Sequence, residues 1–269
     1  ARARYGSRAA LTASAVELSI TGNLDMMTKS EHVRATGAGW FCPEAMGVAI
    51  DRTTQPPWLY GQTELPLESD ADILRVFEAI ASRNTAGTGM NESSSRSHCF
   101  VFLTLHVLDD AAGGVRTSRF QFVDLAGSER LNDAHDGKAN WRTDGTEVAV
   151  GVVTNYSLMM LSQCTRALVD AQRRGKAKNF PFRAYITDLP PLLQESMTGD
   201  ALTAIFVCLS QAPANVPQSK YALEFGEVFA QLAVRPRQRP AEPVAAIAER
   251  NRAQLQEAEA RLGGTHKDA

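Results

Sequence analysis

The spacing of apolar residues changes several times along the chain, and each change marks an element. Cys99-Phe-Val-Phe-Leu-Thr-Leu-His-Val107 and Phe120-Gln-Phe-Val-Asp124 are rich in aromatic and β-branched residues, which predicts two strands. Between them, Asp109-Asp-Ala-Ala-Gly-Gly114 has the composition of a hairpin connection. A hairpin puts the start of the first strand beside the end of the second, so the polar runs flanking the pair share one sheet edge. Ser69-Asp-Ala-Asp72 caps a helix whose Ile73, Leu74, Phe77 and Ile80 recur at helical spacing, and which runs to about Arg83. Glu147 to Gln172 reads as a long helix with Val150, Leu158, Leu161 and Leu168 on one face, a stripe of core type. Strand-like and helix-like stretches alternate as in an α/β fold. Past Val234 the character changes. Arg235-Pro-Arg-Gln-Arg-Pro240 cannot stay helical, because its prolines remove donors and restrict their predecessors. Residues 235–241 therefore form a basic linker. Residues 242–269 form a helical tail whose Ile247, Leu255 and Leu262 sit almost at heptad spacing, as a weak coiled coil or a single solvated helix.

Composition narrows the partners. With 269 residues, 44% of them hydrophobic, the chain can bury a sizeable core. A net charge of −2 gives no global attraction to nucleic acid or membrane, so an acidic partner has to meet a local basic patch. Cys42, Cys99, Cys164 and Cys208 are widely spaced, which argues against a zinc site or a disulfide framework and for a reducing cytoplasm. No run of about eighteen apolar residues or signal-peptide pattern is present.

Two polar runs carry the chemistry. Asp124-Leu-Ala-Gly-Ser-Glu129 follows the second strand, so its first carboxylate should stand where a strand meets a Gly-containing loop. Such a carboxylate can hold Mg²⁺ through water while the Gly127 N–H faces a phosphate. Asn91-Glu-Ser-Ser-Ser-Arg-Ser-His98 precedes the first strand and offers hydroxyls, an amide and a guanidinium, groups suited to sensing a γ-phosphate. Each run also has a plain reading, as a solvated Ser-rich loop and as a turn or helix cap. His98, alone beside an apolar strand, is more often a packed or hydrogen-bonded residue than a catalyst.

The two runs match, without a gap, the N-x-x-S-S-R-S-H and D-L-A-G-S-E switches of the kinesin motor domain, which the chain resembles from about residue 15 to about 235. Val16 to Met27, Tyr60-Gly-Gln-Thr-Glu-Leu-Pro-Leu67, Asn155-Tyr-Ser-Leu158, Pro181-Phe-Arg183, Leu192-Leu-Gln-Glu-Ser196, a strand over 202–210 and Leu223-Glu-Phe225 follow in the family's order. The resemblance implies a P-loop NTPase-like α/β fold with a mixed central sheet flanked by helices, residues 1–234 being a motor domain incomplete at its N-terminus. It also implies ATP and Mg²⁺ as cofactors. Asn91, Ser94, Ser95, Ser97, Asp124 and Gly127 would face the nucleotide, with Ser95 and Asp124 holding Mg²⁺ through water. Arg96 and Glu129 would form the ion pair that closes the switches and positions the attacking water. The partner implied is the microtubule, met by Arg173, Arg174, Lys176, Lys178 and Arg183. These cations can equally complement the C-terminal dipole of the preceding helix. The implied activity is ATP hydrolysis coupled to microtubule-based movement, on the cytoplasmic cytoskeleton, with a possible homodimer through the tail helix and no nucleic acid or membrane partner.

The chain departs from the family in two places. No G-x-x-x-x-G-K-[ST] loop is present, since Gly137-Lys138 and Gly175-Lys176 are each followed by Ala. A fragment is expected, inactive as an ATPase by itself, exposing apolar surface where the phosphate-loop strand belongs. The alternative is a non-catalytic module that binds microtubules or another protein. Phe182 to Pro191 also replaces the family's Y-R-D-S-K-L-T-R segment, losing a lysine and an arginine, so filament affinity should be lowered.

Overall fold

A computed structural model describes residues 6–19, 22–27, 49–51, 58–60, 62–85, 97–127, 145–185 and 187–265. Its main sheet joins β1 (Ala9–Ser19), β2 (Gly22–Asp25), β5 (Leu65–Pro66), β6 (His98–Asp109), β7 (Gly114–Asp124) and β8 (Glu242–Pro243). The order is β2-β1-β6-β7-β8, with β5 also on β1, while β3 (Ala49–Asp51) and β4 (Trp58–Tyr60) pair apart. The expected hairpin is present. β6 and β7 pair from Cys99 opposite Asp124 to Asp109 opposite Gly114, and the turn is fixed by two bonds from the Ala112 N–H, to the backbone and the side chain of Asp109. Every pairing among the described residues is antiparallel, so the parallel component of a mixed sheet is not among them.

The core lies on one face of this sheet. Val16, Phe100 and Val123 are cross-strand neighbours on that face. They meet the long helix α2 (Gly145–Arg173), which follows α1 (Asp70–Thr85) in the chain. Leu158, Leu161 and Leu168 of α2 are buried as the stripe predicts, with Cys164 beside them. Burial pushes the Cys164 thiol up to about 12, so it behaves as a small core residue rather than a nucleophile. The helix ends in a Schellman turn, in which Gly175 takes φ +69° and the N–H groups of Gly175 and Lys176 bond the carbonyls of Gln172 and Ala171. The short helices α3 (Leu189–Leu192) and α4 (Gln194–Thr198) add Leu189, Leu192 and Met197 to the core. α5 (Val216–Ala230) adds Phe229. Pro190 and Pro191 open α3, where their missing N–H groups cost nothing.

The opposite face is thinly covered. α1 begins with the expected reciprocal cap, the Asp72 carboxylate accepting from the Ser69 hydroxyl and N–H. Among its described side chains the helix buries only Val76 against β1, however, and Ile73, Leu74 and Phe77 are exposed. Ala13 and Ala15 are buried on β1 and offer the helix only a shallow floor.

The expected strand over 202–210 is not formed. Those residues carry no ladder, and Leu202 and Phe206 are 88% and 89% exposed. A strand exists only beside a partner, and no strand lies next to this segment among the described residues. It is held instead by Thr203 donating to the Ser196 carbonyl and by Ser210 bonding Ser219 of α5.

Residues 232–241, which include the linker 235–241, form no element, yet this stretch is pinned along its course. The Gln172 amide takes both backbone groups of Ala233, at 2.9 and 3.2 Å. Arg239 pairs with Glu195, and β8 then joins the start of β7 before the tail helix α6 (Val244–Thr265) begins. The path crosses Gly199, whose φ is +93° and where an added Cβ would lie 2.9 Å from the Arg235 N. Gly199→Ala is therefore expected to destabilise the chain by about 1–3 kcal/mol. Chemical denaturation checks this; an unchanged midpoint would show that linker and turn yield freely.

Candidate nucleotide-sensing site

The hairpin gathers the described ends of both polar runs at one end of the sheet. Ser97 and His98 lead into β6, Asp124 closes β7, and Cys99 stands opposite Asp124 in register. Asn91, Ser94, Ser95, Arg96 and Glu129 lie outside the described residues. Asp124 is exposed at the strand end, Ala126 is buried, and Gly127 is half-buried. An exposed carboxylate in that place has the hard oxygens that Mg²⁺ takes. Ser97, expected among the nucleotide-facing groups, is buried and donates its hydroxyl to Glu17 of β1. A half-buried carboxylate needs donors, and Ser97 supplies one, which ties the first run to the sheet.

His98 is the residue whose position adds most to the sequence reading. It is buried, the Ala126 N–H donates to its Nδ1 at 3.0 Å, and its Nε2 lies 2.7 Å from the Ser157 hydroxyl of α2. It is a packed, hydrogen-bonded histidine, as the plain reading holds, but its partners are the second run and the helix of the Asn155-x-Ser157-Leu158 pattern. Ser157 drew no attention in sequence because it reads there only as part of that pattern.

The basic residues sit at the far end of the same helix. Arg173 is in the last turn of α2, pairing with Asp170 at 3.9 Å and donating at 2.9 Å to Gln231, the residue that follows α5. Arg174, Lys176 and Lys178 follow on the exposed loop, and the side chain of Arg183 lies outside the described residues. Ser157 and Arg173 are sixteen residues apart on one helix, about 24 Å. α2 thus spans the distance from the switch ends to the cationic loop.

Comparison with known proteins agrees with this layout. The family described as Kinesin motor domain matches residues 7–232. Kinesin-related protein 3 of Dictyostelium discoideum is 32% identical over 170 residues, covering 63% of this chain and 13% of that protein. Kinesin-like protein KIN-1 of Oryza sativa subsp. japonica is 30% identical over 174 residues, covering 64% and 34% respectively. The chain thus spans about a third or less of the length of these relatives. Among solved structures, a two-heads-bound KIF14 dimer with AMP-PNP in complex with a microtubule aligns at TM-score 0.66 and 26% identity, over 87% of this chain and 62% of that one. A fast kinesin aligns at TM-score 0.63 and 21% identity, over 91% and 62%, a likeness of fold. With matched residues running from the start of β1 past the end of α5 and both switch ends in place, the chain belongs to the kinesin motor domain family.

Proposed function

We propose that this chain is the switch-bearing part of a microtubule-based motor, the part that senses the third phosphate of ATP and passes that state to a filament-facing loop. The observation that carries the reading is the Cys99–Asp124 register, which sets the end of one switch against the start of the other. ATP and Mg²⁺ fit the groups at hand. Asp124, with Ser95, would hold Mg²⁺ through water, and bound Mg²⁺ would neutralise charge on the phosphates. With the Ala126 N–H engaged by His98, the next backbone donor along the loop is that of Gly127, the group assigned to the phosphate. Asn91 and Ser94 would complete the contact, and Arg96 with Glu129 would lock it closed. Ser97 serves the site by holding the run to β1 through Glu17.

The exposed cations after α2 would meet the microtubule, whose surface is acidic, and the protein would then act on the cytoskeleton. The KIF14 structure in complex with a microtubule supports that partner. In co-sedimentation at low salt the chain is expected to pellet with microtubules, and Arg174→Glu/Lys176→Glu/Lys178→Glu to weaken binding about tenfold or more. Equal pelleting of the triple variant would remove this loop from the interface. No pelleting of the unaltered chain would reject filament binding.

A further inference from the structure

We infer that His98 is a positioning residue that couples the Asp124–Gly127 loop to helix α2, its imidazole acting as a rigid strut between the Ala126 N–H and the Ser157 hydroxyl. The donor pattern fixes its chemistry. A backbone N–H can only donate, so Nδ1 carries the lone pair that accepts from Ala126, and the ring proton sits on Nε2. Nε2 therefore donates to Ser157 Oγ at 2.7 Å. Turning the ring over would put Cδ2–H against the Ala126 N–H and Cε1–H against Ser157, so both bonds would be lost. Burial makes that arrangement costly to give up, since Ala126 and His98 are both 5% exposed and a buried polar group left without its partner keeps its desolvation penalty.

The connection is short and spans distant parts of the chain. The Ala126 N–H belongs to the residue before Gly127, so a shift of the Gly127 amide towards a phosphate moves the peptide that His98 grips. On its other side His98 holds α2 sixteen residues before Arg173, and the same histidine begins β6 directly after Ser97, itself fixed to Glu17. One side chain therefore joins the end of the first switch, the backbone of the second and the helix that leads to the basic loop. The purpose of the strut rests on the motor reading given above. Its existence does not.

The test uses hydrogen exchange of the full 269-residue chain, read by mass spectrometry with residue resolution at Ala126. Ser157→Ala removes an acceptor that is not bonded to Ala126, yet it should speed exchange at that amide about fivefold. Exchange of the β6 amides of Phe100 and Phe102 should be unchanged, which separates a local release from general loosening. Ser157→Thr restores the hydroxyl and should restore protection. His98→Asn, whose Oδ1 stands in for Nδ1, should make a following Ser157→Ala silent at Ala126. If Ser157→Ala leaves Ala126 at the unaltered rate, or speeds the Phe100 and Phe102 amides equally, the strut is rejected. Microtubules provide a separate arm. Filament binding should slow exchange at Ala126 in the unaltered chain, while Ser157→Ala pellets equally well but loses the slowing. Pelleting with the same slowing in both forms overturns the coupling. Absence of pelleting overturns the motor reading, and the free-chain result still decides the strut.

Discussion

Given Mg-ATP, the 269-residue chain is expected to release no phosphate above a buffer control, with or without microtubules. A motor of this family grips the β- and γ-phosphates with the backbone N–H groups and lysine of a G-x-x-x-x-G-K-[ST] loop, and no such run occurs in the sequence. Of the two Gly-Lys pairs, Gly137-Lys138 lies outside the described residues. Gly175-Lys176 is placed, and its geometry is the wrong one. Gly175 is the left-handed residue of a helix C-terminal turn, and the Lys176 N–H is already bonded to the Ala171 carbonyl. That end of a helix gathers carbonyls and carries the negative pole, whereas phosphate seeks the positive one. Loss of one preorganised donor already costs about 10²–10³ in rate, so loss of the whole cradle should put turnover below detection. Asp124 and Gly127 would then face a nucleotide that nothing holds. Malachite-green or coupled phosphate release checks this directly. Mg-ATP hydrolysis that Asp124→Ala abolishes would show that this chain makes its own phosphate grip.

What the sequence made legible was local. The hairpin of β6 and β7 follows from two β-rich runs around an Asp- and Gly-containing turn, and its consequence, shared switch ends, follows from geometry alone. The cap of α1 was equally plain. Bonds to Asp72 from the Ser69 hydroxyl and from the Ser69 and Glu68 N–H groups form as the spacing requires and hold its carboxyl below the usual range. The span of α2 and the burial of Leu158, Leu161 and Leu168 needed only periodicity. The features that escaped depend on distant partners. Residues 202–210 have strand composition, but a ladder takes two strands, and composition cannot report the neighbour. His98 meets Ala126 and Ser157, which are 28 and 59 residues away, so no local signal separates a strut from an ordinary packed histidine. Gln172 is 61 residues from Ala233, and its hold on the chain just before the linker is invisible for the same reason. Ser97 carried the opposite hazard: a hydroxyl inside a motif expected to face the nucleotide, which Glu17 claims for the sheet.

The double substitution Phe120→Lys/Phe122→Lys is expected to turn a self-associating chain into a monomer while leaving its fold in place. Alternate residues of β7 face opposite ways, and Phe120 and Phe122 point away from the core, 57% and 58% exposed. Across the ladder they stand beside Leu103 and Val101 of β6, which makes an apolar strip on the two strands next along from β1, the strand on which α1 rests. The outer edge of β7 is paired only at Gly114 and Val115, so from Arg116 to Asp124 its backbone meets no further strand among the described residues. An apolar strip beside an open edge invites a second chain to add a strand, and lysine on such an edge is a common means of preventing it. Covering the exposed part of each phenylalanine would gain up to about 3 kcal/mol at about 25 cal/mol per Å², and that gain is repeated along an aggregate. The folded monomer has little to lose, because an exposed position away from the core costs about 0.5 kcal/mol or less, against about 3–5 kcal/mol for Phe100→Ala on the buried face. Sedimentation over a concentration series decides the matter. The unaltered chain should gain mass with concentration and the double variant should not, with far-ultraviolet circular dichroism unchanged. A monomeric, cooperatively melting unaltered chain would mean that this face needs no cover, and equal association of both forms would move the sticky surface elsewhere, with exposed Leu202 and Phe206 the next place to look.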